Sequence, residues 1–421
     1  MSKGRLIAGL DIGSSAIRIV AGQILPSSEK GFQISIIGAA ETKSEGITKA
    51  SISSFEDAVA SVSACLDQAE RMIGLPIDDV YVGIGGTQIT VQEAKGIVGV
   101  SRTDQTIKRE DVVRAIEAAR TYAQAPNYEV IHVIPKYFTV DSQDHIKDPV
   151  GMQGIRLEAE VKIIQGLSNH LRNFTKAVFR TKLDIAELVY SPLAAAEAVC
   201  NKRQKELGVC VISLGAATTS MSVYEDNELV HAATFSVGSD HLTSDLVYTL
   251  RTSFEVAERL KRARGNANPK AYPDSESVDL KDFGSEVSEE VQLPFIAEVL
   301  EARVEEIFEK VEAELKKIDR SGMLPAGIIL TGGGAKLPGI AEIARGVFHL
   351  PATVGVSHLD SSMPELVQDP AFSTAVGLVM WGYEEEKEDG KEAYSKPMKS
   401  MGNIFSKVTD PVKRIFKSFM P

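Results

Sequence analysis

The stretch that decides the fold is LIAGLDIGSSAIRIV, residues 6–20. An apolar strand ends at Asp11, a short turn passes through Gly13, Ser14 and Ser15, and a second apolar strand follows. Glycine lets a backbone turn close to a ligand, and the N–H groups of such a turn can point at phosphate oxygens. The Asp11 carboxylate is a candidate Mg²⁺ ligand through water, because that ion dehydrates reluctantly. An ordinary hairpin with a polar tip is the alternative.

The same architecture returns in the second half of the chain. Residues 209–214 are an apolar strand, a turn of small residues follows, and residues 220–224 are the next strand. Two strand–turn–strand units about 200 residues apart predict a duplicated fold with two related lobes. The candidate phosphate contacts of this second turn are Gly215, Ala216, Ala217, Thr218 and Thr219.

A third turn, LTGGGAK at residues 330–336, lies between an apolar strand and a helix. Successive glycines cost unfolded-state entropy and fill no space. We interpret Gly332, Gly333 and Gly334 as a backbone surface for a ligand, with Lys336 beside it. A flexible loop is the alternative. The three turns in this order are more specific together than any one of them alone.

Helix and strand patterns predict the rest of both lobes. Ser54 is expected to cap a helix with apolar residues at helical spacing, and residues 79–84 are the next strand. Strands followed by a helix and another strand predict an α/β lobe with a mixed sheet. From residue 87 to 163 a helix at 110–123 stands among polar stretches and strands, which predicts a small inserted α+β subdomain.

Three further patterns complete the prediction. Residues 141–154 are rich in Gly, Pro and Asp and predict a loop. An Ala-rich helix is expected from Ser191 to about Lys202. A long helix over 294–318 has apolar residues on one face and glutamates on the other, and its acidic face is either solvated or a partner surface.

Composition excludes several classes of function. The chain has 421 residues, which suggests two or more lobes. Its net charge of −12 argues against nonspecific binding of nucleic acid. Cys65, Cys200 and Cys210 form no CxxC motif, so neither a disulfide framework nor a thiolate metal site is expected. We find no signal peptide pattern and no run of about 20 apolar residues. We therefore expect a cytosolic protein whose membrane contact is peripheral.

The segment 402–421 differs from everything before it. Asp410 and Pro411 suit the start of a helix, and residues 396–421 carry six basic residues and one acidic residue. Residues 384–401 are charged and poor in large apolar groups, which is typical of a flexible, solvated linker. The candidate membrane-binding residues are Ile404, Phe405, Val412, Lys413, Arg414, Ile415, Phe416, Lys417 and Phe419.

These residues predict an amphipathic helix that lies in the plane of a membrane. A helix after Pro411 spans about 15 Å at about 1.5 Å per residue, which is too short for a hydrocarbon core of about 30 Å. Its aromatic residues would insert at the interface, and each basic residue near anionic lipid adds about 1 kcal/mol. A helix docked on the protein's own core and a partner-binding helix are the alternatives.

Together, the three turns resemble the ATP-binding fold that actin, sugar kinases and chaperone ATPases share. In that superfamily two phosphate turns hold ATP between two ribonuclease-H-like lobes, and the Gly-rich loop faces adenosine. The resemblance implies an actin-like, duplicated two-lobed α/β fold. It also implies ATP and Mg²⁺ as cofactors, held by the turn residues named above.

Longer stretches resemble one family, the bacterial cell-division protein FtsA, over essentially the whole chain. The stretches that carry the resemblance are HVIPKY (132–137), IKDPVGM (146–152), RLEA (156–159), SPLAAAE (191–197), KELGV (205–209), AERLK (257–261) and TGGGAKL (331–337).

The resemblance adds three candidate residues outside the turns. Glu258 and Lys261, one helical turn apart, resemble the ribose-contacting residues of the family, although a surface ion pair of little value has the same spacing. Gly238 is expected to contact the nucleotide. It precedes a serine where the family often has a second glycine, so the sequence departs from the family pattern here. Arg18 lies just past the first turn and could face phosphate, although basic residues at strand ends are commonly solvated.

The resemblance also implies a division of the chain. In order, the parts are a first lobe of residues 1–86, 164–195 and 366–383, an inserted subdomain of 87–163, a second lobe of 196–236 and 322–365 with an upper subdomain of 237–321, a linker of 384–401 and a membrane helix of 402–421.

The second turn departs from the family pattern. Ser213 and Ser220 stand where the family has aspartates, and two alanines stand in place of glycines. Backbone phosphate contacts could persist because alanine still supplies an N–H group. The carboxylates that would order Mg²⁺ or its waters are missing, and hydrolysis needs that charge neutralisation. We therefore expect ATP binding with at most weak ATPase activity.

The implied function is that of an adaptor in cell division. It would tether filaments of the tubulin-like protein FtsZ to the cytoplasmic face of the inner membrane, by binding the FtsZ C-terminal peptide with subdomain 237–321. It would also form actin-like filaments and recruit later division proteins. The alternatives are the related pilus-assembly ATP-binding adaptor, which lacks such a tail, and a phosphotransferase of the sugar-kinase type, which needs a catalytic carboxylate and a sugar pocket.

Overall fold

The first lobe is built on a mixed sheet. The computed structural model describes residues 5–27, 31–101, 104–123, 125–357, 359 and 364–393. The first elements are β1 (Leu6–Ile12), β2 (Ala16–Ser27), β3 (Gly31–Lys43), the short pair β4 (Ile47–Thr48) and β5 (Ser51–Ile52), helix α1 (Phe55–Ile73) and β6 (Asp79–Ile84). Strand β1 is antiparallel to β2 and parallel to β6, which confirms the predicted mixed sheet.

Helix α1 begins after Ser54, as the pattern predicts, but the serine hydroxyl does not cap it. The side chain of Ser54 makes no capping hydrogen bond. Glu56 and Asp57 lie in the first turn, where negative charge interacts favourably with the positive end of the helix dipole. Gly74 ends the helix in the left-handed conformation, with φ of 67°.

The insert is a four-stranded sheet covered on one face by a helix. Its elements are β7 (Ile89–Gly99), α2 (Arg109–Ala123), β8 (Tyr128–Val140), β9 (Gln143–Ile146) and β10 (Arg156–Leu167), with strand order β7-β10-β8-β9. Strand β7 is not predicted from sequence, because ion pairs such as Lys95–Glu158 replace apolar alternation on one face. The predicted loop at 141–154 contains β9, which extends the β8 hairpin.

The chain then returns to the first lobe. Helix α3 (Ser168–Arg180) leads to β11 (Asp184–Tyr190), which completes a sheet with the order β11-β6-β1-β2-β3. Helix α4 (Ser191–Val199) ends earlier than the predicted position near residue 202. Asn201 starts the separate helix α5 (Lys202–Leu207), because its side chain accepts from the Gln204 N–H at 2.9 Å and caps the new helix.

The second lobe repeats the first sheet strand for strand. Its elements are β12 (Val209–Leu214), β13 (Thr219–Glu225), β14 (Glu228–Phe235), α6 (Ser239–Leu250), α7 (Phe254–Arg264), β15 (Ser277–Asp279), β16 (Glu290–Gln292), α8 (Leu293–Lys317), β17 (Ile328–Thr331), α9 (Ile340–Phe348) and β18 (Ala352–Val354). Its sheet order, β18-β17-β12-β13-β14, matches β11-β6-β1-β2-β3 position by position. The predicted duplication is therefore confirmed.

The last described helix returns to the first lobe. After α10 (Pro364–Val367) and a 3-10 turn at Pro370–Phe372, helix α11 (Ser373–Ala393) packs on β1 and on α4. A Cβ atom at Gly377 would lie 1.7 Å from the carbonyl oxygen of Ala194, so only glycine permits this approach of α11 to α4.

The prediction of a flexible linker from residue 384 is wrong over 384–393, which continue α11. Two charged residues of this stretch bond to the first lobe: the Tyr81 hydroxyl donates to Glu385 at 2.9 Å, and Arg5 pairs with Glu386. The charged composition therefore gave a wrong prediction here, because Glu385 and Glu386 have partners in the first lobe. The remaining linker residues and the predicted membrane helix at 402–421 lie outside the described residues.

Among the described residues, three hydrophobic clusters underlie this arrangement. One joins β1, β2, β6 and β11 with α1, α4 and α11, a second lies between α2 and the insert sheet, and a third fills the second lobe. Residues of the 237–321 stretch, such as Leu246 and Leu300, share that third cluster with Ile212 of β12. The upper subdomain thus has no separate core. None of the described helices is long and apolar enough to cross a membrane.

Candidate functional site

The first turn closes on itself by a backbone hydrogen bond. The Gly13 N–H donates to the carbonyl of Ala16 at 3.1 Å. The Ser14 hydroxyl accepts from the Ala50 N–H at 3.0 Å, which ties the turn to the β4–β5 connection, whereas Ser15 is exposed. This turn therefore presents a short polar tip held on a buried sheet.

The second turn has the same closure. The Gly215 N–H donates to the Thr218 carbonyl at 2.9 Å. In register, Ser213 lies opposite Ser220 across β12 and β13, where the first turn has Asp11 opposite Arg18. The two turns thus correspond in backbone geometry, but the second lacks both charged side chains.

The start of α6 docks on the second turn. The Ser239 N–H donates to the Gly215 carbonyl at 2.9 Å, and the Asp240 N–H donates to the Ala216 carbonyl at 2.8 Å. A Cβ atom at Gly238 would lie 2.5 Å from the Ala216 carbonyl oxygen. Gly238 is therefore required by this packing alone, before any ligand is considered.

Thr219, predicted as a phosphate contact, is fully buried. Its residue is 0% exposed, and its hydroxyl has no hydrogen-bond partner among the described residues. Ala217 is also nearly buried, at 9%. The side chain of Thr219 thus does not reach the surface, so any phosphate contact on this side must come from the turn that precedes it.

The Gly-rich loop packs directly on the strand before the second turn. Gly332 has φ of 84°, and a Cβ atom there would lie 2.5 Å from the Leu214 carbonyl oxygen. A Cβ atom at Gly334 would lie 2.9 Å from the Leu214 Cβ, whereas Gly333 is exposed and its nearest neighbour is 4.0 Å away. Packing therefore explains Gly332 and Gly334. Gly333 is the one glycine of the three that remains a candidate for contact with a ligand.

Glu258 and Lys261 form a partly buried network rather than a surface ion pair. Lys261 Nζ lies 2.6 Å from Glu258 Oε2 and donates to Thr243 Oγ1 at 2.7 Å and to the Ser239 carbonyl at 3.1 Å. The Thr243 hydroxyl donates to Glu258 at 2.6 Å. Burial works to raise the pKa of Glu258, but Lys261 and these hydrogen bonds outweigh it and hold that pKa below its usual value.

This network belongs to the same cluster as the second turn. Ser239, which Lys261 contacts, also donates to Gly215, and its Cβ lies 3.4 Å from the position a Cβ would take at Gly334. Thr243 and Ser239 were not among the predicted site residues. Their sequence signal is weak, because serine and threonine early in a helix are common capping residues.

Asp11 is an isolated carboxylate at the end of β1. Burial raises its pKa to about 6, and the neighbouring Arg18 opposes that rise. Arg18 itself donates from Nε to Glu41 Oε2 at 2.6 Å and lies over the ring of Phe372 at 5.4 Å. The residue predicted to face phosphate therefore has partners within the protein. No sequence pattern predicts Glu41 or Phe372 as partners of Arg18, because both lie far from the turn along the chain.

The segment before α11 joins the Gly-rich loop to the first lobe. The Thr331 hydroxyl donates to Ser373 Oγ at 2.6 Å, and the Gly332 N–H donates to the Pro370 carbonyl at 3.0 Å. Lys336, predicted beside the nucleotide, lies 2.6 Å from Asp369. Both lobes thus contribute to one region around the Gly-rich loop.

The described ranges offer Asp11 as the candidate residue for a metal ion. No group of three or more His, Cys, Asp or Glu side chains there could hold a metal ion. Asp11 nevertheless fits a cation that keeps its water shell, because its carboxylate makes no hydrogen bond to the described residues. The predicted membrane-binding residues, from Ile404 to Phe419, lie outside the described residues.

The repeated sheets, the paired turns and the Gly-rich loop define a protein of the actin-like class. Among solved structures, the chain is similar to the PilM–PilN type IV pilus biogenesis complex, with a TM-score of 0.61 and 16% identity over 89% of this chain and 98% of that one. It is also similar to MreB5 of Spiroplasma citri bound to AMPPNP, with a TM-score of 0.52 and 12% identity over 93% of this chain and 99% of that one. Likeness at this identity shows the fold alone.

Within that class, the chain belongs to the family of cell division protein FtsA. The family profile matches residues 210–377, and the profile of the SHS2 domain inserted in FtsA matches residues 86–165, close to the predicted insert of 87–163.

Full-length relatives support this assignment. Cell division protein FtsA of Pseudomonas aeruginosa is 30% identical over 98% of both chains. The Bacillus subtilis protein is 34% identical over 93% of this chain and 87% of its own length, and the Escherichia coli K12 protein is 31% identical over 98% of both. Membership in this family favours a role in cell division over the pilus and sugar-kinase alternatives.

Proposed function

We propose that this chain binds ATP between its two lobes and acts in cell division as a membrane adaptor for FtsZ filaments. The nucleotide site rests on one connected set of contacts. The start of α6 contacts the second turn, the Glu258–Lys261 pair and the Gly-rich loop, and Ser239 takes part in all three contacts. Solved neighbours of this fold, two structures of Spiroplasma citri MreB5, are bound to ADP and to AMPPNP. This supports a nucleotide as the ligand.

Each part of the site has a distinct role in this proposal. The N–H groups of both turns, from Gly13 to Ser15 and from Gly215 to Thr218, would hold phosphate oxygens. Glu258 and Lys261 would contact the ribose, and exposed Gly333 would lie against adenosine. When bound, Mg²⁺ would neutralise phosphate charge, and Asp11 would hold it through water.

Weak hydrolysis follows from the difference between the turns. Asp11 offers a carboxylate in the first turn, but Ser213 and Ser220 offer none in the second. Fewer charged groups remain to order a cation and an attacking water. Purified protein is therefore expected to bind ATP with very slow turnover, measured as phosphate release under saturating ATP and Mg²⁺. Vigorous Mg²⁺-dependent release would contradict this part of the proposal.

The second lobe offers a surface for the FtsZ C-terminal peptide. Tyr248, Phe254 and Phe295 are 82%, 42% and 45% exposed in the 237–321 stretch, and aromatic side chains are enriched where interfaces carry binding energy. The tail at 402–421 would hold the chain on anionic lipid at the cytoplasmic face of the inner membrane. Self-assembly into filaments and recruitment of later division proteins complete the proposed role.

One experiment tests the adaptor function. FtsZ filaments are sedimented with anionic liposomes, alone or with this chain and ATP. FtsZ is expected in the liposome fraction only when the full chain is present. A chain ending at Glu392 keeps the described fold to within one residue but lacks the tail, so it should bind FtsZ without bringing it to liposomes. Equal liposome recovery with both chains would refute the tail as the anchor.

A further inference from the structure

A row of three charged residues crosses the first sheet beside the first turn. Asp11 on β1 lies directly opposite Arg18 on β2, and Arg18 lies directly opposite Glu41 on β3. Directly opposed residues of antiparallel strands project from the same face of a sheet. A guanidinium therefore stands between two carboxylates, of which the proposed nucleotide site uses only Asp11.

Arg18 is bound to one end of this row. Its Nε donates to Glu41 at 2.6 Å, and its guanidinium lies 5.4 Å from the centroid of the Phe372 ring. The side chain of Arg18 is 14% exposed, whereas that of its partner Glu41 is 46% exposed. Asp11, at the other end, makes no hydrogen bond to the described residues.

We propose that Glu41 and Phe372 are positioning residues that hold Arg18 away from Asp11, so that the Asp11 carboxylate stays available to a hydrated Mg²⁺. Arginine binds carboxylates through a planar fork of donors, and it does so strongly where solvent is scarce. Without Glu41, the neighbouring acceptor across the sheet is Asp11. An Arg18–Asp11 pair would occupy the oxygens that a cation's water shell needs.

The position of Arg18 matters more because the second lobe has no carboxylate at the equivalent turn. Ser213 and Ser220 supply no carboxylate at the equivalent positions, so the second turn cannot replace Asp11 if Arg18 closes on it. The inference rests on the proposed function, because it takes Mg²⁺ bound with a nucleotide as the ligand. The position of Arg18 in the ligand-free protein is a separate question that structure alone can answer.

The binding test compares ATP affinity with and without Mg²⁺. In the variant Glu41→Ala, Mg²⁺ should strengthen ATP binding about tenfold less than in the natural chain, which is the scale of one charge-assisted hydrogen bond. The matched control is Glu45→Ala, which removes the same charge from the same region. Glu45 pairs with the exposed Lys43 at 3.1 Å and takes no part in the row, so the Mg²⁺ effect should stay unchanged.

A double variant shows whether Glu41 acts by positioning Arg18 or only through its own negative charge. In the background Arg18→Met, the substitution Glu41→Ala should no longer alter the Mg²⁺ effect, because there is no guanidinium to move. If Glu41→Ala reduces the Mg²⁺ effect equally in both backgrounds, Glu41 acts through its charge and the proposal is overturned. Phe372→Leu removes the ring beneath Arg18 and should shift the Mg²⁺ effect in the same direction as Glu41→Ala, by a smaller factor.

A crystal structure of the ligand-free Glu41→Ala variant gives an independent answer. The guanidinium of Arg18 should lie at about 2.8 Å from an Asp11 oxygen. A guanidinium that remains over Phe372 would overturn the proposal. If the natural chain binds no nucleotide at all, the proposed function fails, whereas this structure still shows whether Glu41 controls Arg18.

Discussion

Trp381 donates its indole N–H to Glu187 at 3.2 Å, which ties helix α11 to the edge strand β11. The same carboxylate lies 3.7 Å from Nδ1 of His132 on β8, and Nε2 of that buried histidine accepts from the Tyr190 N–H at 3.0 Å. The insert, the first lobe and α11 therefore meet at Glu187. Glu187 is therefore one contact that the insert, the first lobe and α11 share, in addition to the packing of α11 on β1 and α4.

Loss of this carboxylate should loosen all three parts together. In Glu187→Ala the indole N–H loses its acceptor in a partly buried position, which typically costs about 1–3 kcal/mol. Trp381 is the single tryptophan of the chain, so its emission reports this contact directly. We expect a shifted emission maximum and a lower midpoint of urea unfolding. The control Glu384→Ala removes an exposed glutamate near Lys387 and should change neither measurement.

The docking of α6 on the second turn predicts a strong effect at one glycine. The Cβ atom of Gly238→Ala would meet two carbonyl oxygens, at 2.5 Å and 2.6 Å. Overpacking of this kind costs about 1–3 kcal/mol, measured as the free energy of unfolding without nucleotide. Gly346→Ala is the matched control, because its Cβ would meet nothing within 4 Å on the exposed side of α9. That variant should be neutral or slightly more stable.

Two adjacent glycines of the Gly-rich loop allow packing and ligand binding to be tested separately. Gly334→Ala would place Cβ 2.9 Å from Leu214 and should lower the free energy of unfolding, whereas Gly333→Ala meets only Ala371 at 4.0 Å and should not. If Gly333 lies against adenosine, its variant should weaken ATP binding at unchanged stability. Calorimetric titration with ATP measures this. Unaltered affinity in Gly333→Ala would place the adenosine elsewhere.

The half-buried carboxylate of Asp11 predicts a dependence of stability on pH. Burial raises its pKa from 3.8 to about 6 in the folded chain. Between about pH 4 and pH 6 the folded state therefore binds more protons than the unfolded state, and stability falls as pH rises. In Asp11→Asn this contribution is absent. The ligand-free variant should be more stable than the natural chain at pH 7, by about 3 kcal/mol, and no more stable at pH 4.

Urea unfolding of both chains at several pH values measures this difference. A gap that is constant across pH would show that Asp11 does not titrate in that range. Added Mg²⁺ and ATP should narrow the gap at pH 7, because a bound cation favours the charged carboxylate of the natural chain.

Local patterns were sufficient for much of the fold. The strands on either side of Gly13 and of Gly215 lie within one sheet each, so their apolar runs and turn glycines predict them without tertiary information. Strand β7 and the end of α11 were beyond such reasoning. In both, charged side chains occupy positions whose partners, such as Glu158 for Lys95 and Tyr81 for Glu385, come from distant parts of the chain.

The amino-acid sequence by itself determined the duplicated lobes, the three turns and the missing carboxylates of the second turn, because each depends on residues that are adjacent along the chain. Only the tertiary structure decided which turn residues are exposed. In the folded chain Thr219 is buried, Gly332 and Gly334 pack on Leu214, and Arg18 donates a hydrogen bond to Glu41. These contacts depend on how strands and helices pack against one another. They join residues that are distant along the chain, so residue spacing does not predict them.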